Sequence, residues 1–310
     1  MTAGGNIEAD VISTSSAQPL VEYGRAKVNL TLRVIGRRVD GYHDLESVVA
    51  FADCADRLTL TPGPELSLKT IGPLAEACGA AADNLVLKAA RLLAERVSDL
   101  KLGAFTLDKV LPVAAGIGGG SADAAAALRL LVRLNGLELD DQRVRDVALA
   151  TGADVPVCLA SYACDMTGVG ETLLPLNLPE LPCVMVNPRV PVATKDVFQA
   201  LGLRNGELLV GATDVIRAPA WPAKGASIAE WIKVLKIVSN DLEKPAIRIQ
   251  PGIDEVLKAL GASEGVLLAR MSGSGATCFA LFATAGEAER AAQTIGAGHP
   301  QWWVHAGTLS

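Results

Sequence analysis

The sequence predicts an α+β fold. Three observations carry that prediction: apolar/polar alternation recurs along the chain, strong helical periodicity occupies its middle, and the two mix without regular strand–helix–strand repetition. In segment 28–35, Val28, Leu30, Leu32 and Val34 are apolar, whereas Asn29, Thr31 and Arg33 are polar. That is the pattern of a half-buried strand, and it places Lys27, Asn29 and Thr31 on one face. Segment 36–43 reads as a loop or hairpin on its Asp40-Gly41 turn signal. Segments 45–51 and 56–60 read as further strands. Segment 83–97 reads as a helix with Asp83 as its N-cap, because Leu85, Val86, Ala89, Leu92 and Leu93 fall at helical spacing. A short strand is expected at 105–110, then a glycine-rich loop over 112–121. An Ala/Leu-rich helix follows at 122–134 and stops at Asn135-Gly136. Segment 144–150 reads as another helix, broken by Thr151-Gly152-Ala153-Asp154-Val155-Pro156. A proline-rich shift over 175–182 divides the chain. Beyond it, strands are expected at 183–186, 265–269 and 277–282, and helices at 227–240 and 253–260.

Bulk properties exclude several function classes. The 310 residues are 50% apolar and 20% charged, enough to bury a core, so global disorder is excluded. A net charge of −6 gives no basic excess for a phosphate backbone, so no nucleic-acid partner is expected. The six cysteines form no CxxC pair and the three histidines lack metal-ligand spacing. Reduced, buried thiols in a cytoplasmic protein are the simplest reading. Residues 1–19 carry neither a basic nor an apolar signal region and read as a disordered extension. No membrane span is expected either, since the least charged stretch, 110–128, contains four glycines and Asp123. Trp302 and Trp303 suit either a covered C-terminal strand or self-association, giving a monomer or weak homodimer.

Of the 30 glycines, four lie in Gly116-Ile117-Gly118-Gly119-Gly120-Ser121, between a strand and a strong helix. Glycines allow positive φ and close backbone approach, and a helix start offers free N–H groups with partial positive charge. Together they make a phosphate site. The Walker A pattern fails for want of a Lys after the glycines, and GxGxxG fails because Ser121 stands at its third glycine. The alternative is a plain strand-to-helix connection with Ser121 as N-cap.

The segment Pro112-Val-Ala-Ala-Gly-Ile-Gly-Gly-Gly-Ser-Ala-Asp-Ala-Ala125 resembles the ATP loop of the GHMP kinases, the superfamily of galactose, homoserine, mevalonate and phosphomevalonate kinases. Arg25-Ala-Lys-Val-Asn-Leu30 and Gly36-Arg-Arg-Val-Asp-Gly-Tyr-His43 are similar to the N-terminal signature of the 4-diphosphocytidyl-2-C-methyl-D-erythritol kinase family. Gly152-Ala-Asp-Val-Pro156, Ser239-Asn-Asp-Leu-Glu243 and Met271-Ser-Gly-Ser-Gly-Ala276 resemble its later motifs, in its order. Two departures stand out: Ala122 where many members have a second Ser, and Arg25 where Pro is common. The resemblance implies the two-domain GHMP kinase fold, with an N-terminal ribosomal-protein-S5-like domain over 20–178 and a C-terminal ferredoxin-like α/β sandwich over 179–310.

It also implies ATP-dependent phosphorylation of the 2-hydroxyl of a cytidine diphosphate methylerythritol, a step of the non-mevalonate isoprenoid route. Another GHMP small-molecule kinase, or a GHMP-fold binding protein without catalysis, are the alternatives. Asp154 would be the general base and Lys27 its orienting cation. On local sequence alone, Asp154 equally suits a helix N-cap and Lys27 a solvated charge at a strand start. ATP would be held by Pro112, Ala115, Gly116, Ile117, Gly118, Gly119, Gly120 and Ser121, with Asn84 and Lys109 near the adenosine; Lys109 equally suits a solvated charge flanking a strand. Mg²⁺ is inferred from the chemistry, with Ser121 as its protein contact. The alcohol substrate would meet Asn29, Thr194, Gly273 and Gly275. Its cytosine would meet Tyr42, His43 and Phe198, the rings of Tyr42 and Phe198 bracketing the base. The bland alternatives are an exposed turn for Tyr42-His43, core packing for Phe198 and a β-turn for Gly273 and Gly275.

Overall fold

A computed structural model describes residues 18–209 and 220–310. The expected N-terminal extension lies outside the described residues over 1–17. The architecture is α+β, with eleven strands and nine α-helices among the described residues. Strands β1 (Leu20–Asn29), β2 (Arg33–Arg37), β3 (His43–Gly63), β4 (Ser67–Ile71) and β5 (Leu102–Asp108) come first, with α1 (Leu85–Ala94) between the last two. Helices α2 (Gly119–Asn135), α3 (Gln142–Thr151) and α4 (Val155–Ala160) follow, then the hairpin β6 (Cys164–Gly168) and β7 (Thr172–Pro175). The second half holds β8 (Leu181–Asn187), α5 (Thr194–Leu201), α6 (Ile228–Leu235), α7 (Glu243–Ile249), α8 (Gly252–Gly261), β9 (Leu268–Met271), β10 (Cys278–Leu281), α9 (Ala285–Gly298) and β11 (Trp303–Leu309).

One sheet crosses both halves in the order β4-β5-β3-β11-β8-β10-β9. The two strands expected at 45–51 and 56–60 are one strand, β3. It pairs antiparallel with β1 from Leu60 down to Ala55 and again from Phe51 to Val49. In the gap between, Ala52 meets Leu309 of β11. The strand expected over 28–35 is instead broken after Asn29. There the chain turns to bond the second half: Leu32 N–H donates to the Ser239 carbonyl at 3.0 Å, and Asp241 N–H donates to Leu32's at 2.9 Å. The helix expected over 227–240 ends at Leu235, so that Ser239 and Asn240 are free for this contact.

The helix caps also differ from expectation. Asn84, not Asp83, caps α1, its side chain accepting from Val86 N–H at 2.9 Å. Helix α2 starts three residues before the expected Ala122, with Gly118 at its N-cap in the left-handed region (φ +63°) and no side-chain cap. Ser121 is therefore in the first helical turn and does not cap.

Apolar packing forms three clusters. One lies under α1, α2 and α3, with Phe51, Phe105 and Leu128 fully buried. A second fills the C-terminal half around Ile253 and Phe282, and includes Trp302, which resolves that residue as core, stacked on His299. The third joins the halves: Val28, Leu30 and Ile117 pack with Met185, Phe279 and Leu281. No helix among the described residues is long and apolar enough to cross a membrane.

Candidate active site

A cavity of about 620 Å³ lies where β1, the glycine loop, α4, α5 and the turn before β10 meet. The loop shapes one wall. Three successive carbonyls are bonded to protein donors: Ala115's accepts from Thr277 N–H (3.0 Å) and Ile117's from Lys27 N–H (2.9 Å), while Gly116's accepts from the Ser272 hydroxyl (3.0 Å). The N–H groups opening α2 are left without a side-chain cap at a positive helix end. Gly116 is required at its place: its φ is +73°, and a Cβ there would stand 2.6 Å from the Ser272 carbonyl oxygen and 2.7 Å from Gly275's. The two glycine clusters thus lie against each other.

The Lys27 ammonium donates to Asp154 Oδ1 at 2.8 Å. Its side chain is 5% exposed, that of Asp154 42%. A Cβ on Gly118 would touch the Lys27 stem at 3.3–3.4 Å, so the loop and this lysine are in close contact. Asp154 does occupy the N-cap position of α4, yet its side chain makes no cap bond. The carboxylate is turned instead to Lys27 and the cavity, and Pro156 in the first turn removes one N–H that would have needed a cap.

Most of the expected residues share this wall. Asn29, Tyr42, His43, Thr194, Phe198 and Gly273 line the cavity with Lys27 and Asp154. Ala115, Gly116, Gly118, Gly119, Gly120 and Ser121 line it from the loop. The ring stacked on Phe198 is His43, with centroids 4.4 Å apart at 26°; Tyr42 stands 59% exposed at the rim. His43 Nε2 is buried without a hydrogen-bond partner. Burial, then the nearby Arg37 charge, lower the His43 pKa and favour its neutral form. Asn29 donates from Nδ2 to Ser47 Oγ at 2.7 Å, which leaves its Oδ1 buried and unpartnered.

Five expected residues stand off the cavity wall. Pro112 and Ile117 are buried behind the loop, Gly275 lies against Gly116, and Asn84 precedes the wall residue Leu85. Lys109, expected near the adenosine or else as a solvated charge, is off the cavity wall and is not solvated. It is 2% exposed, with Nζ 2.5 Å from Asp56 and 2.7 Å from Asp123. Asp56 also accepts from the N–H groups of Val110 (2.7 Å) and Leu111 (2.9 Å), which fixes the entry to the loop. Two carboxylates share one lysine, and burial pushes the Asp123 pKa up to about 7.

Ser272, Ser274, Asp56 and Asp123 were missed as site residues. Ser274 lines the cavity and bonds Thr194 hydroxyl to hydroxyl at 2.8 Å. Both serines lie in the Met271–Ala276 motif, beside the glycines that mark it as a turn. Asp123 sits inside the loop motif, whereas Asp56, in a long strand, has no local signal.

The chain matches known proteins in sequence and in fold. The GHMP kinases N-terminal domain model matches residues 84–162 and the GHMP kinases C-terminal model residues 226–300. A 4-diphosphocytidyl-2-C-methyl-D-erythritol kinase of Bradyrhizobium diazoefficiens is 77% identical over 94% of this chain and 98% of its own. One of Rhodopseudomonas palustris is 68% identical over 97% and 98%. A crystal structure of 4-(cytidine 5'-diphospho)-2C-methyl-D-erythritol kinase superposes with TM-score 0.71 at 34% identity, covering 94% of this chain and 99% of that one. A homoserine kinase from Cytophaga hutchinsonii shares the fold at TM-score 0.68 and 19% identity, covering 97% and 98%. With near-full-length identity at this level, the chain belongs to the 4-diphosphocytidyl-2-C-methyl-D-erythritol kinase family of the GHMP kinases.

Proposed function

We propose that this kinase transfers the γ-phosphoryl group of ATP to the 2-hydroxyl of 4-diphosphocytidyl-2-C-methyl-D-erythritol, with Asp154 as general base. The observation that carries this reading is the Lys27–Asp154 pair, set in one cavity with the open N-terminus of α2 and the His43–Phe198 stack. Phosphoryl transfer is mostly positioning and charge stabilisation. The uncapped amides of α2 receive the phosphates, with the glycines letting them approach. Lys27 holds one oxygen of Asp154, which leaves the exposed carboxylate edge to take the proton of the attacking hydroxyl. His43 and Phe198 offer a flat apolar face and an unpartnered ring nitrogen, the complement of a cytosine's face and polar edge.

Ser121 and Asp154 put hard oxygen donors on the same cavity, the type Mg²⁺ accepts. The described residues form no group of three or more His, Cys, Asp or Glu side chains that could hold a metal ion. Mg²⁺ would therefore be held mainly by phosphate oxygens and water, with Ser121 as a protein contact. When bound, it neutralises charge on the β- and γ-phosphates. A coupled assay with ATP, Mg²⁺ and the cytidine substrate tests the proposal. Turnover of that substrate is expected; turnover of mevalonate or homoserine in its place overturns it.

A further inference from the structure

We propose that the Ser272 hydroxyl is a positioning group that keeps the Gly116 carbonyl turned out of the phosphate space and ties the glycine loop to the substrate strand. This rests on the reading that the start of α2 receives ATP phosphates. Ser272 is fully buried. Its Oγ donates to the Gly116 carbonyl at 3.0 Å and accepts from Asn29 N–H at 3.0 Å. One hydroxyl thus spans the ATP loop, the strand carrying Lys27 and Asn29, and the turn leading to β10. Three successive loop carbonyls are drawn inward, and only the Gly116 bond is made by a side chain.

The hydroxyl is itself held firmly. Ser272 N–H donates to the Thr277 carbonyl (2.9 Å), and the Ser272 carbonyl accepts from Gly275 N–H (3.0 Å). Asn240 Nδ2 grips the same turn through the Met271 and Gly273 carbonyls, both at 2.8 Å. Gly116 lines the cavity. Without the Ser272 bond its carbonyl is a half-buried acceptor seeking a partner, and a glycine is free to rotate. A carbonyl oxygen aimed at a phosphate repels it, and the Asn29 amide loses its acceptor at the same moment. The Asn29 amide, the Ser272 hydroxyl and the Gly116 carbonyl form one chain of bonds, so a ligand that steadies the loop also steadies the strand.

The test compares Ser272→Ala with the native enzyme. KM for ATP should rise about tenfold, the effect of leaving a half-buried acceptor unpaired beside the phosphates, and by a larger factor than kcat falls. A merely structural role would lower the melting temperature without this preference for ATP. An unchanged KM for ATP overturns the proposal. Hydrogen exchange on the native protein decides independently of how the variant folds. The cytidine substrate alone should slow exchange at residues 115–121, and a magnesium complex of a non-hydrolysable ATP analogue alone should slow it at 27–31. Absence of cross-protection in both directions overturns the coupling. Should the enzyme turn over a different alcohol, the substrate assignment fails, while the KM for ATP measured with that alcohol still judges Ser272.

Discussion

Replacing Asp123 by Asn addresses the buried charge beneath the glycine loop. Lys109 serves two carboxylates there, so the ionised cluster carries one excess negative charge. Burial, opposed by Lys109 and reinforced by Asp56, raises the Asp123 pKa from 3.8 to about 7. The folded pKa exceeds the unfolded one, so the folded state keeps the proton longer. Stability is then lost as pH rises from about 4 to about 7, and is not regained above it. At roughly 1.4 kcal/mol per pH unit, the three-unit gap sets a ceiling of about 4 kcal/mol. Asn is close to the same shape, keeps an oxygen for Lys109, and cannot ionise. Its amide nitrogen takes the place of Asp123 Oδ1, which already has no partner. Urea unfolding should find the Asn variant about 1–4 kcal/mol more stable than the native protein at pH 8, with the difference shrinking toward zero near pH 4. A variant less stable at pH 8, or a difference independent of pH, refutes an excess buried charge at this cluster.

Asp154→Ala should lower kcat by at least about 10²-fold while an ATP analogue still binds in calorimetry; an undiminished rate removes Asp154 from the chemistry. Gly116→Ala combines left-handed strain with a Cβ set among backbone atoms at 2.6–2.8 Å. Together these amount to about 2–5 kcal/mol, visible as a lower urea midpoint and weaker ATP binding. Phe198→Ala should raise KM for the cytidine substrate about three- to tenfold with KM for ATP little changed, as loss of one aromatic contact predicts.

The local pattern of the chain indicates the class of the fold, and the resemblance of its motifs indicates most of the candidate site; both fail where distant segments decide the structure. Strands 45–51 and 56–60 looked separate because Ala52-Asp53-Cys54 interrupts the apolar alternation. In the fold that interruption is where β3 turns from β1 to β11. The break after Asn29 was invisible because it is caused by bonds to Ser239 and Asp241, more than two hundred residues away. Asn84 and Asp83 are equal as cap candidates by type, and the 3₁₀ turn Ala81–Asp83 decides between them. The buried role of Lys109 escaped both of its readings, as an adenosine contact and as a solvated charge, because its partner Asp56 lies in another strand. The glycine loop, Lys27, Asp154 and His43 were legible since their motifs are contiguous and chemically unusual.

The contact between the two glycine turns bears on how such enzymes can be recombined. The Gly116 carbonyl fills the space a Cβ on Gly273 would need, and the backbone of Ser272 and Gly275 fills the space a Cβ on Gly116 would need. The halves of this kinase therefore cannot be exchanged as independent cassettes with those of a relative. A chimera joined near residue 178 keeps its nucleotide site only if the incoming half brings a side-chain-free turn with the same curvature and a hydroxyl to meet the Gly116 carbonyl. With the site assigned as proposed, specificity for the alcohol is inherited together with the ATP site, as a single transplantable unit.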